Sequence, residues 1–521
     1  MRSCSTLAVI WLGCAGMANA QGRPIDWPNY GSDAQRSGWQ KSDSRITKEN
    51  VKDFQLVLKR QLANGQPGPR SLTPPVVIGN LISYRGFKEL AFVVGSSGHV
   101  WSIDADIDRM FWDRQLSAAP TADASCGAGV TAIPALTPPM NFAAGRPRPA
   151  AGARPPAATP PATAPAAPVG RISATGFGAS RPVFVLAADG KLHQLNSATG
   201  EDQFPPLQFL PPNGRASSLT LHNGVLYTAG KAGCTGAQNG VWAVNLTEAD
   251  PKPVSFTYTG GSAGGIGGFA LGNDGTVYLQ TGAGQADPAA GKWAETLLAL
   301  TPKDLKVKQY FRAPGSGAVT PVVFTWKEKE LVVSAGKNGS LFVHDAQALG
   351  GSDHKAPLYE TAALSSAGVW GGLSTWEDSE GIRWVLAPVW GALAPNLKSL
   401  ATTGDATHGA IVAFKLEEQQ GKAILTPTWV SRDMRSPLPP VITSGVVFAV
   451  SAGEYTRDER PAGSTNAVLY ALDGTTGKEM YSTGNQVGAA ANLTGVTVAN
   501  GRVYFTTTDS TLYAFGVFLE R

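Results

Sequence analysis

The 521-residue sequence predicts an all-β chain folded as one eight-bladed β-propeller, its last blade closed by an N-terminal strand. Three observations predict it. A pattern of a small or polar residue, an apolar or alternating run and a polar turn residue recurs eight times, as GHVWSID (98–104), GKLHQLN (190–196), NGVWAVN (239–245), ETLLALT (295–301), GSLFVHD (339–345), GAIVAFK (409–415), AVLYALD (467–473) and STLYAFG (510–516). The copies start 92, 49, 56, 44, 70, 58 and 43 residues apart, a range that suits four-stranded blades carrying loop insertions. Helical periodicity is sparse, whereas FQLVLKRQL (54–62) is a strand pattern with no hairpin mate of its own.

Each element has a local reason. The first twenty residues hold a positive start at Arg2, an apolar stretch and an Ala18-Asn19-Ala20 end, which reads as a secretory signal cut before Gln21. Lipid attachment at Cys14 is disfavoured, because Trp11 stands where the attachment motif wants Leu. The mature chain is expected in the periplasm or outside the cell as a single domain over 21–521. Residues 47–54, TKENVKDF, read as a short capped turn. The strand at 54–62 is free to complete the C-terminal blade and cover its open edge.

Most copies follow another β-rich run, such as AFVVGSS, GVLYTAG or GVVFAVSAG, so each unit reads as a hairpin with a Gly, Asp or Asn turn. The long first interval has a visible cause: residues 142–170 are 19 of 29 Ala or Pro, with no acid. A segment of that composition buries too little apolar surface to order itself, and it reads as a mobile insertion in blade 2.

A formal charge of +4, with no Lys/Arg run outside that segment, gives no nucleic-acid footprint. After the signal, no stretch is long and apolar enough for a membrane span. GGSAGGIGG (260–268) is followed by a strand rather than a helix, which argues against a phosphate cradle. No C-x-x-C pair or clustered histidines mark a nucleophile or metal site; His99, His193, His222, His344, His354 and His408 are scattered over the repeats. Trp370, Trp376, Trp384 and Trp390 crowd into residues 368–391, where blade packing competes with a ring-stacking platform in the central channel. Cys126 and Cys234 remain after the signal, and in an oxidising compartment a disulfide is their expected fate.

At DWPNYGSDAQRSGWQ (26–40) and RITKENVKDFQLVLKRQL (45–62) the chain resembles the start of the mature quinoprotein alcohol dehydrogenases, eight-bladed propellers that bind pyrroloquinoline quinone (PQQ) and calcium. The resemblance covers most of residues 26–516 as PQQ-like repeats. It sets TGA (281–283) against a turn whose Asn ligates calcium, and AAGKW (289–293) against a motif whose Asp is the catalytic base, placing Ala283 and Ala290 at those positions. Neither methyl group can bind a hard cation or take a proton. By the same alignment Thr235 replaces a calcium-binding Glu, Gly267 the Trp under the quinone, and Val369 an Asn that contacts it.

Lys337 matches a position where the family sets a Lys or Arg against the quinone oxygens, Trp370 beside the channel is the other cofactor-binding candidate, and Asp287 is the local substitute for the base. The family's adjacent-cysteine disulfide is missing; in a propeller the loops carrying Cys126 and Cys234 leave on one face of neighbouring blades, which allows a bridge between them. The resulting expectation is an exported PQQ-like-repeat propeller with a degenerate quinone and calcium site, a binding or scaffold protein with a protein partner. It would be comparable in kind to the propeller lipoprotein of the outer-membrane barrel-assembly machinery. The alternative is a PQQ-dependent alcohol or sugar dehydrogenase with a rearranged site, passing electrons to a separate carrier because no C-x-x-C-H haem motif occurs.

Overall fold

The computed structural model of the protein describes residues 25–65, 67–83, 86–116, 132–137, 181–212, 214–232, 238–312, 319–336, 339–455 and 465–517. All eight repeat copies become the third strand of a four-stranded antiparallel blade, and Trp39–Gln40 adds a fifth, parallel strand beside Val441–Thr443. The blades span 76–115, 135–208, 215–258, 270–312, 322–360, 374–430, 441–482 and, for blade 8, 497–516. Where a copy opens on glycine, the tight turn from the second strand explains it: Gly98 and Gly190 sit at φ +82° and +80°, where a side chain would be strained. The Ala/Pro-rich insertion falls in sequence between the first two strands of blade 2, Ala135–Leu136 and Pro182–Leu186, and lies outside the described residues, as do the signal, Cys126 and Cys234.

Alternation along each strand feeds two neighbours at once. In Gly86–Val94, Leu90, Phe92 and Val94 pack into the seam with blade 2, while Ala91 and Val93 pack toward blade 8. Similar apolar seams run between successive blades, so most blade faces are covered and the strands read as apolar on both sides. The strand foreseen at 54–62 is Gln55–Gln61, which pairs antiparallel with Thr511–Gly516 as the outer strand of blade 8. The turn before it is a 3-10 turn, Val51–Asp53, prepared by the Thr47 amide donating to Asn50 Oδ1 at 2.9 Å.

The innermost strand of each blade turns a bare edge toward the axis, and residues 25–43 supply its partners in one circuit. Trp27 exchanges backbone hydrogen bonds with Val77 of blade 1, and the amides of Leu136, Leu271, Val323, Thr375 and Ile442 donate to the carbonyls of Pro28, Ala34, Gln35, Ser37 and Gly38. These contacts reach blades 2, 4, 5, 6 and 7. At blade 8 the Ile25 amide donates to Asn500 Oδ1 and the Gly501 amide to Asp43 Oδ2. Gln40 Nε2 donates to the Asp26 carbonyl at 3.0 Å, tying the two ends of the circuit together.

Blade 3 is reached by a side chain. Arg36, 1% exposed, sends Nη2 to Ser218 Oγ at 2.9 Å and Thr220 Oγ1 at 2.6 Å, Nε to the Phe269 carbonyl at 2.8 Å and Nη1 to the Tyr30 carbonyl at 2.6 Å. Its backbone is held at φ +65°, a left-handed conformation that a non-glycine residue keeps only under constraint. Burial lowers the guanidinium pKa to about 10, with Tyr30 and Asp33 opposing.

Replacing Arg36 by Met strands those acceptors in the interior, and a loss of roughly 3–5 kcal/mol is expected as a lower urea midpoint at unchanged m-value.

His344, fully buried in blade 5, has its Nδ1 2.8 Å from the Leu349 carbonyl, which can only accept; Nδ1 therefore carries the proton and Nε2 accepts from Ser334 Oγ at 3.0 Å. Burial lowers its pKa from 6.5 to about 4. The unfolded chain therefore takes up this proton first, so the contribution is present above pH 6.5 and lost as pH falls toward 4. Compared with His344→Gln, the native chain should lose roughly 3 kcal/mol more across that window, read from denaturant melts at each pH.

Candidate functional site

Above the circuit, one aromatic ring stands on the axis. Tyr30 is bordered by three glycines at the entrances to blades 4, 6 and 8: a Cβ on Gly267 would lie 2.7 Å from Tyr30 Cδ1, one on Gly495 3.0 Å from Cε2, and one on Gly372 3.1 Å from the hydroxyl oxygen. The ring packs with Ile133 of blade 2 and Ile266 of blade 4, and half-buried Trp370 joins the cluster from blade 6. Burial pushes the Tyr30 hydroxyl well above the ordinary phenol range, opposed by the charge of Arg36. The result is an apolar floor across the channel, set by the segment that also seals the inner strands.

The tryptophans divide between two places in the fold. Trp370 stacks on Trp390 with centroids 4.8 Å apart and planes at 17°, and Trp390 Nε1 is fixed by the Pro437 carbonyl at 3.0 Å. Trp376 and Trp384 stack at 6.1 Å inside the seam of blades 6 and 7, where Trp384 Nε1 donates to Asp378 Oδ2. Val369 is buried and bridges to Val389.

In blade 4 the strand Val277–Gln280 runs into Thr281, whose hydroxyl donates to the Thr296 carbonyl at 3.1 Å. Ala283 is exposed beyond it. Asp287 lies on a separate two-stranded ribbon, Ala286–Asp287 with Lys292–Trp293, which meets blade 3 through Thr259. Its exposed carboxylate caps the turn Pro288–Ala290 by accepting from the Ala290 amide at 3.3 Å. Ala290 is exposed at the end of that turn. The structure therefore brings Trp370 to the channel floor and puts Asp287 on a ribbon with a capping role.

Lys337 and Thr235 lie outside the described residues. Among the described residues no group of three or more His, Cys, Asp or Glu is placed to hold a metal. Sequence reasoning missed Tyr30 and Arg36. Their segment has neither strand nor helix period, and the available signal was the lone Tyr and Arg amid Gly, Ser and Asn in NYGSDAQRSG.

Among solved structures, the chain is similar to a quinohemoprotein alcohol dehydrogenase from Comamonas testosteroni, with TM-score 0.57 and 16% identity over 97% of this chain and 82% of that one. It is also similar to a europium-containing methanol dehydrogenase (TM-score 0.55, 12% identity, 96% and 98% covered) and to a quinohemoprotein alcohol dehydrogenase from Pseudomonas putida HK5 (0.53, 13%, 94% and 80%). No protein-family model matches the sequence, and no curated protein does. At these identities the similarity shows the eight-bladed fold.

The close approach of Gly267 to Tyr30 is testable by a double-mutant cycle. Gly267→Ala should cost roughly 1–3 kcal/mol through overpacking, and the penalty should shrink in the Tyr30→Ala background, giving a favourable coupling in denaturant melts.

Proposed function

We propose that the protein is an exported binding propeller whose site is the channel mouth above Tyr30 and Trp370, and that it does not perform calcium-assisted quinone chemistry. The observation that carries this is the Tyr30 ring against Gly267. The resemblance assigns Gly267 to the indole on which the quinone would rest, and here that space is filled from within by the N-terminal circuit. The donor set points the same way. Ala283 offers no side-chain oxygen where a calcium-ligating side chain is expected, and calcium takes oxygen ligands. Ala290 cannot accept a proton, and the carboxylate of Asp287 is engaged in capping. The residues present do not fit the metal, so no reaction step is derived through it.

Binding is the use that suits a channel mouth floored by Tyr30 and Trp370 on a braced frame. In the exported compartment implied by the signal sequence, a protein partner can engage the rim, with a Cys126–Cys234 bridge holding two of its loops. The dehydrogenase reading keeps one supporting observation, the stacked Trp370 and Trp390 at the floor.

Titrating the purified protein with PQQ and calcium, followed by tryptophan fluorescence and then by dye reduction with short alcohols, separates the two. The expected outcome is no calcium-dependent saturation and no alcohol-dependent turnover. Saturable binding with turnover would establish the dehydrogenase, and Asp287→Ala would then be the variant to measure.

A further inference from the structure

We propose that the outer strand of blade 3, Val254–Tyr258, pairs antiparallel with the same strand of a second copy of the chain, about a two-fold axis at Phe256. The surface is separate from the channel mouth, and the inference goes beyond the binding reading above without depending on it.

Each blade ends on an outer strand with no further strand of its own sheet beside it, and such an edge templates association with another chain unless something blunts it. Seven of the eight described outer strands are blunted. Leu207–Gln208 and Tyr359–Glu360 are two residues long. Arg109–Gln115, Val307–Arg312, Lys422–Val430, Glu479–Ser482 and Gln55–Gln61 each break register against the strand inside them, and each carries charge. Val254–Tyr258 has none of these devices. It keeps one register along its whole length against Asn239–Ala243, and its sequence, VSFTY, contains no charged residue and no proline. Pro251 and Pro253 stand just before it and confine the pairable edge to these five residues.

The strand is both exposed and braced. Val254 is 39% exposed, and Ser255 and Thr257 are exposed on the alternate face. Half-buried Phe256 has ring centroids 5.9 Å from Tyr258 and 6.5 Å from Trp293, so aromatic packing holds the other face against the blade. A strand already fixed by its own sheet loses little conformational freedom on pairing.

Its sequence is matched to itself. About the axis, Val254 faces Tyr258 of the second copy, Ser255 faces Thr257 and Phe256 faces Phe256. A β-branched residue with an aromatic, Ser with Thr and two aromatics are pairs that stabilise neighbouring strands, and no like charges meet. Because the register is unbroken, facing residues project to the same side of the joined sheet. A slip by one residue would set Phe256 against Ser255 and Val254 against Thr257, losing every one of these matches. Five residues a side fall short of the roughly 800 Å² per partner of a standard interface, so the dimer is weak, with a dissociation constant on the order of tens to hundreds of micromolar.

The test is sedimentation velocity of the full-length protein from low micromolar to near-millimolar concentration, with two double variants at the exposed positions and circular dichroism as the check on each fold. The native chain should form a reversible dimer. Ser255→Lys with Thr257→Lys sets like charges opposite one another twice and should weaken it roughly tenfold or more. Ser255→Lys with Thr257→Glu sets opposite charges together twice; it should keep the dimer at least as tight as the native one at low salt and lose that advantage at high salt. The proposal is overturned if the native chain stays monomeric throughout, as it would if the edge served a different protein, or if the two double variants associate alike. Neither result touches the channel-mouth reading, which falls to alcohol turnover with quinone and calcium whatever the oligomeric state.

Discussion

The guanidinium of Arg36 and the circuit of chain around it are the constraint on which this propeller depends. Eight sheets arranged about an axis leave eight inner edges whose amides and carbonyls need partners, and a channel lined by such edges is satisfied only by water or by protein. Residues 25–43 answer with backbone carbonyls for blades 1, 2, 4, 5, 6 and 7, with side-chain oxygens for blade 8, and with a single cation for blade 3. The circuit then continues into Gln55–Gln61, which closes blade 8 from outside. One segment therefore seals the assembly at its innermost and outermost radius, coupling the closure of the ring to the filling of its centre.

Electrostatics follow the same geometry. At the junction of blades 8 and 1, Glu89 is buried between Arg502 at 2.8 Å and the Tyr504 hydroxyl at 2.6 Å, and Asp106 lies 3.6 Å from the other arm of Arg502. Burial raises the Glu89 pKa to about 7, and the arginine opposes that rise. Lys48 reaches Asp473 at 2.7 Å and pins the chain just before its closing strand. These paired charges fasten the frame. Arg36 instead has its charge dispersed over neutral acceptors. Two arrangements of positive charge thus separate closure from filling.

The parts of the fold that were legible in the sequence are those whose environment repeats. Each third strand is packed between two others and two neighbouring blades, so GHVWSID and STLYAFG carry the same alternation although they lie more than four hundred residues apart. The closing strand was legible because it had alternation and no local mate. The first strands of blades 2 and 4, Ala135–Leu136 and Ala270–Leu271, are too short to hold a period. The circuit was illegible for a different reason: each of its residues answers to a different blade, so no periodicity can arise. Trp370 and Trp390 could not be told from Trp376 and Trp384 by composition, because an indole suits a seam and a channel floor equally well.

The floor of the site is bound to the stability of the frame in a way that a loop residue would not be. The Tyr30 carbonyl accepts from Arg36 Nη1 at 2.6 Å, while its ring fills the space left by Gly267, whose own carbonyl accepts from Ser218 Oγ at 2.8 Å. A planar ligand lying as deep as an indole at Gly267 would have to displace that ring and pull on the backbone that orients Arg36. The cost of deep binding would therefore be met in the bonds that hold blades 3 and 4 to the axis. Ligands that stay above Tyr30 avoid that cost, because they engage only the rim and the exposed part of Trp370. A stiff centre thus leaves the rim as the part whose side chains can change without disturbing the propeller beneath them.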